Sequence, residues 1–377
     1  VIRVLIVDDS AFNRVTIGRV LEGASDIEVV GTAVDGYDAI RQIRQRRPDV
    51  LTLDLEMPNM DGLSLLRWVM SQHPLPVLVV TSRESNYSLF EALELGALDF
   101  VLKPGRVSPE LPRIREDLLA KLRQISVSRL HLRRPGPIGE KALPSPVTVK
   151  IDESDSRRGC RLFVLVASTG GPPALQTILR GLSPAFPASI AVAQHMPAYF
   201  TTALARRLND LSPLPVREAV AGDDLGPGQV LLAPGGAQMT IAGSTADAFR
   251  VQVNPAAPED RHVPSGDQLL ESAARYGQAV STGIVLTGMG DDGTRGLAAV
   301  QGAGGRTLAE SQSTAVVFGM PGHAIAAGVV EQALPLEQIA GAMESLARLP
   351  GRPRRHERFA AGNAGAGNGA ILWKERT

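Results

Sequence analysis

The chain has 377 residues, too many for one typical hydrophobic core, and suits two domains that each fold alone. Its 39 Lys and Arg balance 39 Asp and Glu, which excludes a whole-molecule field drawing it onto nucleic acid or an anionic membrane. The single cysteine, Cys160, excludes an internal disulfide framework or multi-cysteine metal site and fits a reducing compartment. The apolar opening, residues 1–7, runs straight into Asp8 and Asp9, a flank unlike that of a signal peptide. No apolar stretch reaches bilayer length, so a cytoplasmic location without membrane insertion is expected.

Short β-branched runs at 2–7, 27–32, 50–53, 77–81 and 100–102 alternate with helix-like segments, which predicts five strands of a doubly wound, parallel-sheet domain over residues 1–125. Its last helix is predicted at 109–124. Polar, Pro-rich sequence at 126–158 reads as an exposed linker, its basic residues a solvated tether. A second alternating series, with strands at 161–167, 189–193, 229–233, 283–287 and 306–309, predicts another mainly parallel α/β domain over 159–349. Residues 350–377, Arg-rich and then Gly/Ala/Asn-rich, are expected to be disordered. The fold class is therefore α/β, with two doubly wound sheets joined by a linker.

Residues at the carboxyl ends of parallel strands line one crevice, where ligands bind. Asp8 and Asp9 follow the first predicted strand, Asp54 the third and Lys103 the fifth, while Thr81 ends the fourth. Singly, each reads as a cap or turn residue. Together, three converging carboxylates call for a hard cation, for which Mg2+ is the natural candidate. Lys103 and the Thr81 hydroxyl suit the oxygens of a phosphoryl group, with Asp54 as its acceptor.

This segment resembles the receiver domain of two-component response regulators, through Asp8-Asp9-Ser10, Asp54-Leu55-Glu56-Met57-Pro58, Met60-Asp61-Gly62, Thr81-Ser82 and Phe100-Val101-Leu102-Lys103-Pro104. The resemblance implies a flavodoxin-like fold and Asp54 as phosphoacceptor. It also implies Mg2+ ligands in Asp8, Asp9, Asp54 and the Glu56 carbonyl, Phe100 as an aromatic switch, and a histidine kinase as phosphodonor.

In the second half the strand at 161–167 runs into Ser168-Thr169-Gly170-Gly171-Pro172-Pro173, whose glycines permit a tight bend and whose prolines suit a first helical turn. Ser168 alone reads as a helix cap. The next strand ends at His195, and a later one leads into Gly288-Met289-Gly290-Asp291-Asp292-Gly293. A hydroxyl, an imidazole and a carboxylate then share one sheet edge, as a hydrolytic triad requires. The 288–293 run also satisfies G-x-G-x-x-G, but Asp291 and Asp292 inside that turn would oppose a pyrophosphate. The general nucleophile elbow is not met, since Val166 occupies its first position.

This half resembles the catalytic domain of the chemotaxis protein-glutamate methylesterases, a Rossmann-like fold, through Ala167-Ser168-Thr169-Gly170-Gly171-Pro172, Gln194-His195-Met196-Pro197, Leu286-Thr287-Gly288-Met289-Gly290-Asp291-Asp292-Gly293 and Val317-Phe318-Gly319-Met320-Pro321. By resemblance Ser168 is the nucleophile, His195 the general base and Asp292 the residue that orients it, and the catalytic domain needs no cofactor. Backbone N–H groups of Thr169 and Met289 are expected to form the oxyanion hole. The substrates implied are methylated glutamates, and by the same chemistry glutamines, on the cytoplasmic helices of methyl-accepting chemoreceptors, with activity raised by phosphorylation. Departures stand at Val166, Gln238, Val263 and Gly322. The rival reading is a phosphorylation-gated interaction protein with a hydrolase-like binding domain. A nucleic-acid partner is not expected.

Overall fold

A computed structural model describes residues 1–82, 86–103, 111–127, 161–245, 248–277 and 280–348. Strands β1 (Ile2–Val7), β2 (Ile27–Ala33), β3 (Val50–Leu53), β4 (Val77–Thr81) and β5 (Asp99–Leu102) form a sheet in the order β2-β1-β3-β4-β5, every pair parallel. Helices α1 (Ala11–Glu22), α2 (Gly36–Arg46), α3 (Gly62–Gln72), α4 (Asn86–Glu94) and α5 (Leu111–Val127) alternate with the strands. β3 and β4 are buried along their whole length, which is why they read as apolar runs without alternation. Ser10, Asp35 and Asp61 cap α1, α2 and α3, accepting the N–H of Asn13, Asp38 and Ser64. Gly62 opens α3 where a Cβ would fall 2.3 Å from the Asp54 carbonyl oxygen, so the close approach of this helix to the end of β3 requires glycine.

The second unit contains β6 (Leu162–Ala167), α6 (Gly171–Arg180), β7 (Ser189–Gln194), α7 (Ala198–Leu211), β8 (Val216–Glu218), β9 (Asp224–Leu225), β10 (Val230–Leu232), β11 (Ala237–Ser244) and β12 (Phe249–Pro255). It continues through α8 (Gly266–Gly277), β13 (Ser281–Val285), α9 (Thr294–Gly302), β14 (Arg306–Glu310), α10 (Met320–Ala326), β15 (Gln332–Leu334) and α11 (Leu336–Ala347). Its main sheet has the order β15-β14-β13-β6-β7-β10-β8, all parallel. The strand order reverses at β6, which has β7 on one side and the much later β13 on the other. That reversal opens a crevice at the carboxyl ends of these three strands.

A smaller antiparallel sheet, β11-β12-β9, packs Met239, Ile241 and Val251 into a core shared with Leu269 and Leu270 of α8. This ribbon, together with β8 and β15, is absent from the sequence-based expectation. The last helix of the first unit lies at Leu111–Val127, so it takes in residues 126 and 127 of the expected linker. The rest of that linker, the expected tail and Cys160 lie outside the described residues. No helix among the described residues is long and apolar enough to cross a membrane.

Candidate active site

The first crevice gathers its charged groups from three strand ends. Asp8 is buried after β1, with Asn13 Nδ2 donating to both carboxylate oxygens at 3.1 and 3.2 Å and the Ser10 N–H donating at 2.8 Å. Lys103 Nζ donates to Asp54 Oδ2 at 2.5 Å and lies 3.3 Å from Asp8 Oδ2. Burial pushes the Asp54 carboxyl up against the pull of Lys103. Burial opposes the charge on Lys103, but Asp54 and Asp8 outweigh it and hold the ammonium above its usual value. Asp8, Asp9 and Asp54 each bring a carboxylate oxygen within 4.8 Å of the others, an all-oxygen set that fits a hard divalent cation. The Glu56 N–H donates to Asp54 Oδ1 at 3.3 Å, and the buried Thr81 donates its hydroxyl to the Ser82 carbonyl at 3.3 Å.

The second crevice lies at the β13-β6-β7 edge. The Ser168 N–H donates to the Thr287 carbonyl at 3.0 Å and the His195 N–H to the Ala167 carbonyl at 3.0 Å, so the ladder that pairs these strands sets both residues. Gln194 Nε2 donates to the carbonyls of Ser168 and His195 at 2.9 and 3.2 Å, tying the two strand ends together. A Cβ on Gly288 would fall 2.8 Å from Ser168 Cβ, so the 288–293 turn can lie against Ser168 only with glycine there.

His195 Nε2 bonds Asp292 Oδ2 at 2.6 Å. Asp292 is buried and caged at the start of α8, where Gly266 N–H, Asp267 N–H and Ser265 Oγ donate to it at 2.7, 2.9 and 3.2 Å. Burial alone would raise this carboxyl, but His195 and the two N–H groups hold it well below the usual carboxylate range. Asp291 is exposed beside it. Among the described residues Ser168 Oγ and His195 share no hydrogen bond, a gap common in substrate-free sites that tighten on binding. With Nε2 engaged by Asp292, Nδ1 is the ring nitrogen left for proton exchange. Neither the Thr169 nor the Met289 N–H donates to a protein acceptor among the described residues.

The arrangement also contains residues that sequence reasoning missed. The Thr169 hydroxyl donates to Asp99 Oδ2 at 2.5 Å, so a carboxylate of the first unit reaches the residue beside Ser168. Lys121 lies 3.5 Å from Asp99 Oδ1 and donates to the Phe100 carbonyl at 2.7 Å. The Phe100 ring packs on Phe200 of α7, with centroids 4.7 Å apart, and Arg207 makes paired 2.8 Å bonds to Glu94. Phe100, Leu102 and Lys121 consequently line the same cavity as Ser168, His195 and Met289. His262 stacks on His195, and the buried Glu310 accepts the Thr287 N–H at 2.9 Å. Phe100 and Thr169 were named from sequence in other roles; no single-residue signal marks the rest, because each acquires its place through a contact distant in sequence.

Two family models match the chain, that of the response regulator receiver domain over residues 4–111 and that of the CheB methylesterase over residues 163–343. A protein-glutamate methylesterase/protein-glutamine glutaminase of Geobacter sulfurreducens is 45% identical over 358 residues, covering 90% of this chain and 95% of that one. One from Myxococcus xanthus is 42% identical over 353 residues, covering 92% and 98%. The crystal structure of the Thermotoga maritima CheB methylesterase catalytic domain, 37% identical, aligns with 50% of this chain and 98% of that one at a TM-score of 0.48.

Proposed function

The chain belongs to the CheB methylesterase family in its receiver-bearing form, and on that premise we propose that Ser168, His195 and Asp292 are the hydrolytic centre of a phosphorylation-regulated protein-glutamate methylesterase. The observation that carries this reading is the meeting of three strand ends, with a buried, caged Asp292 bonded to His195 beside Ser168.

Ser168 Oγ attacks the side-chain carbonyl of a methylated glutamate while His195 takes its proton. The N–H groups of Thr169 and Met289 donate to the oxyanion that forms. The ester C–O bond breaks, His195 returns the proton, and methanol leaves. Water, deprotonated by His195, then attacks the acyl-enzyme, releasing a carboxylate and restoring Ser168. Asp292 holds the ring in one tautomer and stabilises its charged form. A glutamine amide follows the same course with ammonia as leaving group. The substrates are methyl-accepting chemoreceptors, presented on their cytoplasmic helices.

Asp8, Asp9, Asp54 and the Glu56 carbonyl would hold Mg2+, which when bound offsets the charge of an incoming phosphoryl group. Asp54 accepts that group from a histidine kinase. Lys103 then turns from the Asp54 carboxylate to the phosphoryl oxygens, and the Thr81 hydroxyl donates to them. Before this, β5 and α5 lie over the cleft through Asp99, Phe100 and Lys121, which supports a resting state closed to substrate.

The test is methanol release from receptor-bearing membranes carrying labelled methyl esters. Ser168→Ala and His195→Ala should each lose at least about a thousandfold in rate. Near-normal release from Ser168→Ala would remove Ser168 as nucleophile.

A further inference from the structure

We infer that His262 is a positioning residue for His195, holding the general base in register through a stacked face and itself held by Gln238. This rests on the proposed roles of Ser168, His195 and Asp292. The two imidazoles lie with centroids 4.8 Å apart and planes 5° from parallel. His195 is anchored on the ring by one bond, Nε2 to Asp292. A single hydrogen bond directs that nitrogen but leaves the ring free to rock about the N···O line, which would swing Nδ1 away from the serine. A flat ring against one face removes that freedom.

His262 lines the same cavity as Ser168, His195 and Met289, so it borders the reacting groups. Gln238, buried on β11, fixes it from behind: Nε2 donates to the His262 carbonyl at 2.8 Å and Oε1 accepts the Ser265 N–H at 2.7 Å. The same short segment then runs into the Ser265, Gly266 and Asp267 donors that cage Asp292. One amide therefore sets both the stack and the carboxylate cage.

Parallel rings hold their nitrogen lone pairs side by side and do not converge them on one point. The His195, His262 and Asp292 group thus suits stacking better than shared coordination of a cation, although its donor atoms lie within 4.8 Å. Burial and the neighbouring His195 charge lower the pKa of His262, with Arg261 acting the same way and Asp292 and Asp291 opposing. A neutral partner can remain stacked while His195 carries a proton.

The experiment measures kcat and KM for methanol release from methylated receptor membranes, with phosphodonor and Mg2+ present. The proteins compared are wild type, His262→Ala, His262→Phe, Gln238→Ala and Ser168→Ala. His262→Ala should lose about 10- to 100-fold in kcat with little change in KM, because a misdirected base slows chemistry and not binding. His262→Phe, which restores a flat ring without nitrogens, should recover most of that loss. Gln238→Ala should show a smaller fall in kcat, and it carries the test should His262→Ala not fold. An unchanged kcat in His262→Ala, or a His262→Phe protein as slow as His262→Ala, overturns the inference while an inactive Ser168→Ala leaves the triad reading standing. An active Ser168→Ala defeats the triad reading itself.

Discussion

At the scale of single residues, Glu310 shows how a buried group can tie stability to pH without entering the chemistry. Burial, opposed by the Thr287 N–H, pushes its carboxyl from 4.5 up to about 7. A native state that binds a proton more tightly than the unfolded chain gains stability at low pH and loses it as pH rises. The contribution is therefore full below about pH 4.5, falls through the window up to about 7 and is flat above it. Glu310→Gln stays neutral throughout. Relative to wild type it should gain on the order of 3 kcal/mol across that window, read from urea unfolding at a series of pH values. A difference independent of pH would show that Glu310 does not titrate there. The candidates Ser168 and His195 could be named from sequence because each directly follows an apolar run, and Asp292 because the glycine-rich turn after a later run carries it. Gln238 was legible only as a departure; its two bonds to the 262–265 segment depend on β11, which no motif announced.

At the scale of elements, the strands that carry the site read clearly because they are buried on both faces and so form dense β-branched runs. The strands that escaped notice are of other kinds. β8, β9 and β15 have three, two and three residues, too short for any period to register. β11 and β12 alternate in burial over only part of their length, which leaves too little of a two-residue period to announce a strand pair. The proposed regulation rests on an element contact: β5 reaches the turn after β6 through the Asp99 to Thr169 bond. Asp99→Asn replaces a charged acceptor in a buried bond with a neutral one. It should raise methanol release by the unphosphorylated protein about tenfold and shrink the factor gained on phosphorylation. An unchanged resting rate would mean this bond does not hold the closed state.

At the scale of the whole molecule, one continuous hydrophobic cluster runs from Leu89, Phe90 and Phe100 of the first unit into Phe200, Leu204 and Leu208 of the second. Two separate alternating series predicted two cores; nothing in either series could show that apolar contacts would bridge them, since the joining residues are ordinary core residues of each. β5 touches both crevices: Lys103, which follows it, pairs with Asp54, and Phe100 and Leu102 line the cavity of Ser168 and His195. The proposed coupling runs from Asp54 through Lys103 and β5 to the surface that covers Ser168. The decisive measurement is methanol release from methylated receptor membranes with and without a small phosphodonor and Mg2+, for wild type, Asp54→Ala and Ser168→Ala. Release should depend on Ser168 and rise with phosphodonor only when Asp54 is present. Stimulation that persists in Asp54→Ala, or a wild-type rate indifferent to phosphodonor, would contradict the coupling of the two sites.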